Sequence, residues 1–170
     1  MGKGAKALKP LSGLFRKKEG EAEKPVLSNS LSQEFNAQES LHRRLSPSEH
    51  LRIIVTNRLA LRYFYEYLAR RMGTESLSFW VAVEFYRMQV EANEWSANSY
   101  AREIHVTYLR RGAMRKVNLD VDESQIDVSH PNVDLFDDLQ DQAWMLLVNE
   151  YYRGYIQSPE YESYMCTSIL

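Results

Sequence analysis

A chain of 170 residues that is 44% apolar and 12% aromatic has room for one folded domain with flanking tails, and enough apolar surface for a real core. Its formal charge of −2 conceals an asymmetry: residues 1–20 hold Lys3, Lys6, Lys9, Arg16, Lys17 and Lys18 against Glu19 alone, a net +5 that leaves −7 for the remainder. Only the start of the chain therefore suits an anionic partner, and the acidic remainder argues against nucleic acid as a ligand.

Residues 1–40 are rich in Lys, Gly, Ser, Glu and Pro, and they bury too little apolar surface to offset the entropy of ordering. They read as a basic, mostly disordered tail. Leu8, Leu11, Leu14 and Phe15 lie among the cations, so the tail can rest on an anionic membrane surface, each cation adding ~1 kcal/mol; a solvated tail is the equal alternative. A folded domain is expected over 41–165 and a short tail over 166–170. Helical patterns occupy 41–56, 58–71, 75–91 and 97–112. In the second, Leu61, Phe64, Tyr65 and Leu68 share one face. The turn Gly73-Thr74-Glu75-Ser76 leads to a third that is apolar nearly all round, with Leu77, Trp80 and Val81 on one face and Phe79, Val83 and Tyr86 on another, the mark of a buried helix. Either Thr74 or Ser76 is expected to cap it. In the fourth, Ala101, Ile104, His105, Tyr108 and Leu109 align. Residues 113–135 read as loop with at most one short helix. The helical period then resumes at Phe136, Leu139, Gln140, Ala143, Trp144 and Leu147, and 148–165 form two shorter pieces parted near Ser158-Pro159. With no period-2 strand, the class is all-α.

Catalytic signatures are missing from this pattern. There is no phosphate-cradling glycine loop or nucleophile elbow, and His42, His50, His105 and His130 never pair at i, i+4, so neither an enzyme nor a metal or other cofactor is expected. His105, on an apolar face, reads as a satisfied core or boundary histidine. The carboxylates Asp134, Asp137, Asp138 and Asp141 lack calcium-loop spacing and read as a solvated helix start favouring the dipole. Cys166 alone permits no internal disulfide, and no apolar run approaches a membrane span, which makes a reducing intracellular compartment the default. Two short motifs stand outside the fold. Arg43-Arg44-Leu45-Ser46 matches a basophilic kinase site, where phosphate on Ser46 would pair with the arginines. Ser168-Ile169-Leu170 matches a PDZ-domain ligand, in which Ser168 and Leu170 are the positions read.

Seven segments, in order, carry a family pattern: Phe64…Leu68, Glu75-Ser76-Leu77, Phe79-Trp80-Val81-Ala82, Ile104…Tyr108-Leu109, Val117-Asn118-Leu119-Asp120, Phe136…Leu139-Gln140 and Tyr152…Ser158…Tyr161. Together they resemble the regulator of G-protein signalling (RGS) domain over about 42–165. The resemblance implies an all-α bundle of about nine helices in two lobes that binds the switch regions of an activated, GTP-bound Gα subunit and accelerates GTP hydrolysis. It implies no catalytic group of the domain's own: the Gα switches are held in their transition-state geometry, so the partner's own residues act from fixed positions. A cytoplasmic protein, peripheral at the plasma membrane, would follow. Carried over residue by residue, the Gα surface would comprise Glu75 and Ser76, where the family has a Glu-Asn pair; Asn118, which matches the family asparagine; and Leu146, Glu150, Tyr151 and Gly154, which stand for the family's Leu, Asp, Ser and Arg, with Arg153 adjacent. Glu75 as a dipole partner and Asn118 as a turn residue are the structural alternatives. Phe64, Phe79, Trp80 and Trp144 have the spacing of core. The departures at Ser76, Tyr151 and Gly154 also allow an RGS-homology scaffold that binds signalling partners without accelerating hydrolysis.

Overall fold

A computed structural model describes residues 33, 40, 44–92, 96–123 and 126–168, so the cations Lys3 to Lys18, and Leu170, lie outside the described residues. The elements are α1 (Pro47–Thr56), α2 (Arg58–Ala69), α3 (Thr74–Glu91), α4 (Ala97–Ile104) continued by a π turn (His105–Leu109), α5 (Asp137–Leu146) followed by π turns (Leu147–Tyr152) and one α turn (Arg153–Tyr155), and α6 (Pro159–Ser168). The described residues contain no strand, and the fold is an all-α bundle as expected. Six helices of eight residues or more form among them, and the described residues between Arg110 and Phe136 fold mostly as turns and extended chain.

These elements fall into two compact units. One spans Gly73–Leu147; the other is assembled from residues 44–72 and 148–168. In the first, α3 buries Leu77, Phe79, Ala82, Val83 and Tyr86 and packs against α4 and α5. Trp80, expected in the core, is only half-buried and lies against Trp144 in a tilted ring contact at 5.3 Å, because the fully buried stripe of α3 runs through Phe79, Val83 and Tyr86 instead. The π turn, closed by Arg110 N–H donating to the His105 carbonyl at 2.9 Å, seats Tyr108 and Leu109 together in this core. His105 itself is half-buried, and no group among the described residues is hydrogen bonded to its enclosed Nε2. The expectation of a satisfied histidine fails at that atom. Across the α3–α5 contact, Arg87 donates to Glu84, Asp137 and Gln140, each at 2.7 Å, while Gln140 Nε2 donates to Glu84 and to the Trp80 carbonyl. Asp137, read as a solvating carboxylate, thus also pairs with Arg87, and that bond is the main reason the guanidinium pKa lies above its ordinary value.

In the second unit α1 starts at Pro47, later than the pattern from 41 suggested, because Ser46 and Glu49 form a reciprocal capping box: Ser46 N–H donates to Glu49 Oε2 at 2.8 Å and Glu49 N–H to Ser46 Oγ at 3.3 Å. Asn57 separates α1 from α2 and caps the latter, its Oδ1 accepting from Leu59 and Ala60 N–H. Ala60, Phe64, Tyr67 and Leu68 form the buried stripe of α2. Tyr67 therefore takes the place expected of Tyr65, since α2 packs on both α1 and α6 and the buried stripe turns to meet both. Phe64, Tyr67 and Tyr161 build an aromatic cluster around Tyr155, with ring centroids 4.9, 5.4 and 5.3 Å from its own. Buried His50 meets the Tyr152 hydroxyl through Nδ1 at 2.9 Å. The break near Ser158-Pro159 is present: Ser158 Oγ accepts from Tyr161 N–H at 3.3 Å as α6 begins, and Arg70 of the α2 end forms an ion pair with Glu160.

Candidate functional site

The first unit carries Glu75, Ser76, Asn118 and Leu146. At the start of α3 the N-cap is Gly73, with no side-chain cap bond, so neither Thr74 nor Ser76 caps the helix as expected. Both already lie within it, where their hydroxyls no longer face the free N–H groups of the first turn. Thr74 Oγ1 instead donates to Glu75 Oε1 at 3.3 Å. Glu75 is half-buried in the first turn, at the positive end of the helix dipole, whereas Ser76 is only 5% exposed and presents little surface to a partner. Leu146 is half-buried at the end of α5.

Asn118 projects from an extended segment fixed by its backbone. Val117 N–H donates to the Tyr108 carbonyl at 3.0 Å, and Asp120 N–H donates to Gln142 Oε1 at 3.2 Å. Val117 is buried and Asn118 is exposed, the alternation an extended chain imposes on neighbours. Among the described residues the Asn118 side chain forms no hydrogen bond, so the turn-stabilising role allowed by the sequence has no bond behind it. Arg115, which the sequence reading passed over, holds this loop to α3: Nη2 donates to Ser78 Oγ at 2.8 Å, Nη1 reaches the Tyr108 hydroxyl at 3.4 Å, and the guanidinium lies 5.4 Å from the Tyr108 ring centre. Ser78 follows Glu75 by one turn of α3. The available signal was Ser78 itself, a hydroxyl within an apolar helix that requires a donor or acceptor once buried.

The second unit carries Glu150, Tyr151, Arg153 and Gly154, on the π turns and the α turn that follows them. Glu150, Arg153 and Gly154 are exposed, and Tyr151 is half-buried. At Gly154 an added Cβ would come closer to the Tyr67 hydroxyl than real Cβ atoms essentially ever do. Glycine is required there by a close approach. Burial raises the Tyr67 pKa even though Arg71 beside it pulls in the opposite direction. Ser46 is exposed at its N-cap, and Ser168 ends α6 with Oγ donating to the Met165 carbonyl at 2.9 Å.

Among the described residues no group of three or more His, Cys, Asp or Glu side chains is arranged to hold a metal ion, and no helix is long and apolar enough to cross a membrane. What these two segments offer is carboxylate, amide and phenol groups, which suit recognition of a protein surface. The family described as "Regulator of G protein signaling domain" matches residues 50–164. Among curated proteins, "Regulator of G-protein signaling 12" of Homo sapiens is 31% identical over 107 residues, covering 61% of this chain and 7% of that protein. "Regulator of G-protein signaling 18" of Mus musculus is 22% identical over 127 residues, covering 69% of this chain and 53% of that protein. The chain thus spans about half or less of the length of these relatives.

Proposed function

The chain belongs to the regulator of G protein signaling domain family, and from that membership we propose that it binds an activated, GTP-bound Gα subunit and accelerates its GTP hydrolysis. Glu75, Asn118 and Leu146 meet the Gα switches from the first unit; Glu150, Tyr151 and Arg153 do so from the second, around Gly154. No group of this chain enters the chemistry. Binding energy orders the partner's mobile switches, and catalysis follows because the groups that polarise the phosphate and orient water are held where the transition state needs them. The observation that carries this reading is Asn118: an exposed amide with no hydrogen bond to another described residue, on a loop whose backbone is tied to the His105–Leu109 π turn and to α5 and whose Arg115 is tied to α3. An amide so placed can donate to and accept from a partner without first losing an internal bond.

Single-turnover GTP hydrolysis by purified Gα subunits of each major class, with this protein in excess, tests the proposal. Acceleration by the natural chain that falls at least tenfold in Asn118→Ala, with unchanged melting, is the expected result. A folded protein that accelerates none of them sinks it. The scaffold reading draws on Ser76, which is buried, and on Gly154, which has no side chain to offer. Binding to GTP-loaded Gα without acceleration would favour it. We further assign the Lys3–Lys18 segment to an anionic membrane surface, which makes the protein cytoplasmic and peripheral. Vesicle binding that is lost in moderate salt checks this assignment. Ser46 phosphorylation and PDZ capture of the Ser168–Leu170 end stand as proposals of the same kind, tested by mass spectrometry after kinase activation and by truncation of the last three residues.

A further inference from the structure

Two residues far apart in the chain compete for one volume in the second unit. A Cβ built on Gly154 would lie within 3.0 Å of the Tyr67 hydroxyl oxygen, inside the range real Cβ atoms avoid. The phenol has little room to withdraw. Tyr67 is 2% exposed, its ring stacked on Phe64 at 6.4 Å and edge-on to Tyr155 at 5.4 Å, with the Arg71 guanidinium 4.0 Å from the ring centre. The backbone at Gly154 is helical and does not itself call for glycine; the hydroxyl does.

We propose that Tyr67 is a positioning residue for the segment that carries Glu150 and Tyr151, its phenol wedged over the Gly154 Cα and steadied by Arg71. The inference rests on the reading that this segment meets Gα. A knob that fits only a glycine sets the rotation of the helix about its axis. One residue of slippage turns the helix by about 100° and would bring the Cβ of Arg153 or Tyr155 against the hydroxyl. Rotation is what decides whether Glu150 and Tyr151 face outward, and both stand on the π turns directly before this α turn.

The test is a double-mutant cycle on the full chain, read by melting and by single-turnover hydrolysis. Gly154→Ala should lower the melting temperature by about 3 °C or more, although alanine is the better helix former. In a Tyr67→Phe background the same substitution should be tolerated, because the methyl group fills the space the hydroxyl has left. Tyr67→Phe alone should cut the rate at saturating protein about tenfold with little change in melting, and Tyr67→Phe/Gly154→Ala should recover much of that rate, which a purely structural role would not do. Equal melting losses from Gly154→Ala in both backgrounds, or a gain in the natural one, overturn the wedge. Natural rates in Tyr67→Phe overturn the positioning role. If the natural protein accelerates no Gα, the functional reading falls and the assigned role with it; the melting cycle, which involves no Gα, shows separately whether the wedge exists.

Discussion

At single residues, what counts is which polar atoms keep a partner. Arg115 supplies the donor that Ser78, 3% exposed, needs, and it holds the chain that presents Asn118. Arg115→Ala should therefore cost about 1–2 kcal/mol in urea unfolding and reduce any acceleration of Gα GTP hydrolysis several-fold, since the loop is loosened as well as the serine orphaned. Unchanged stability would show that Ser78 is satisfied without it. Ser46 offers a pH signature. Its hydroxyl and backbone N–H hold the Glu49 carboxyl below its ordinary pKa of 4.5, so the capping box stabilises fully above that value and is lost as pH falls through the lowered pKa. Ser46→Ala should melt at lower temperature at neutral pH, with the gap to the natural chain narrowing as the solution is acidified below about 4.5, while the part due to the Glu49 N–H bond to Ser46 Oγ persists. Asn118 was singled out in the sequence from its family position, and the structure leaves it exposed, whereas Arg115 was not, because nothing local in a polar loop announces a partner on another helix.

Helices such as α2 and α3 were legible because their apolar residues recur at the helical period over three or more turns, and the Ser158-Pro159 break because proline cannot continue a helix. The π turns at His105–Leu109 and Leu147–Tyr152 were not, since a widened turn leaves the residue pattern almost unchanged and pays only when its side chains find a core. The α3–α5 contact rests on Gln140, 5% exposed, which accepts from Arg87 and donates to Glu84 and the Trp80 carbonyl. Gln140→Ala should cost about 2–3 kcal/mol, because it removes these bonds and leaves a void beside a partly desolvated guanidinium. A urea midpoint unchanged from the natural chain would mean that water replaces the amide without loss.

Across the whole molecule the tyrosines set an alkaline limit. Burial moves Tyr86 from 10.0 to about 12 and raises Tyr67, Tyr152, Tyr155 and Tyr164 as well. A phenol with a raised pKa in the folded chain favours folding fully below the unfolded value of 10.0, and that stability drains as pH climbs past 10 toward 12, where the unfolded chain ionises and the folded one resists. The phenolate absorbance of these buried tyrosines should then rise together with the loss of helical circular dichroism; phenolate absorbance already complete near pH 10 with the helices intact would contradict this. Helical class and most of the places where helices stop followed from the order of its residues, because periodicity and prolines act over a few positions, and the family followed from the resemblance of its motifs. The seating of Tyr67 over Gly154, the tie from Arg115 to Ser78 and the burial of Ser76 came only with the packed chain. Each depends on which distant atoms compete for the same space or the same hydrogen bond, and no local pattern of residues encodes that.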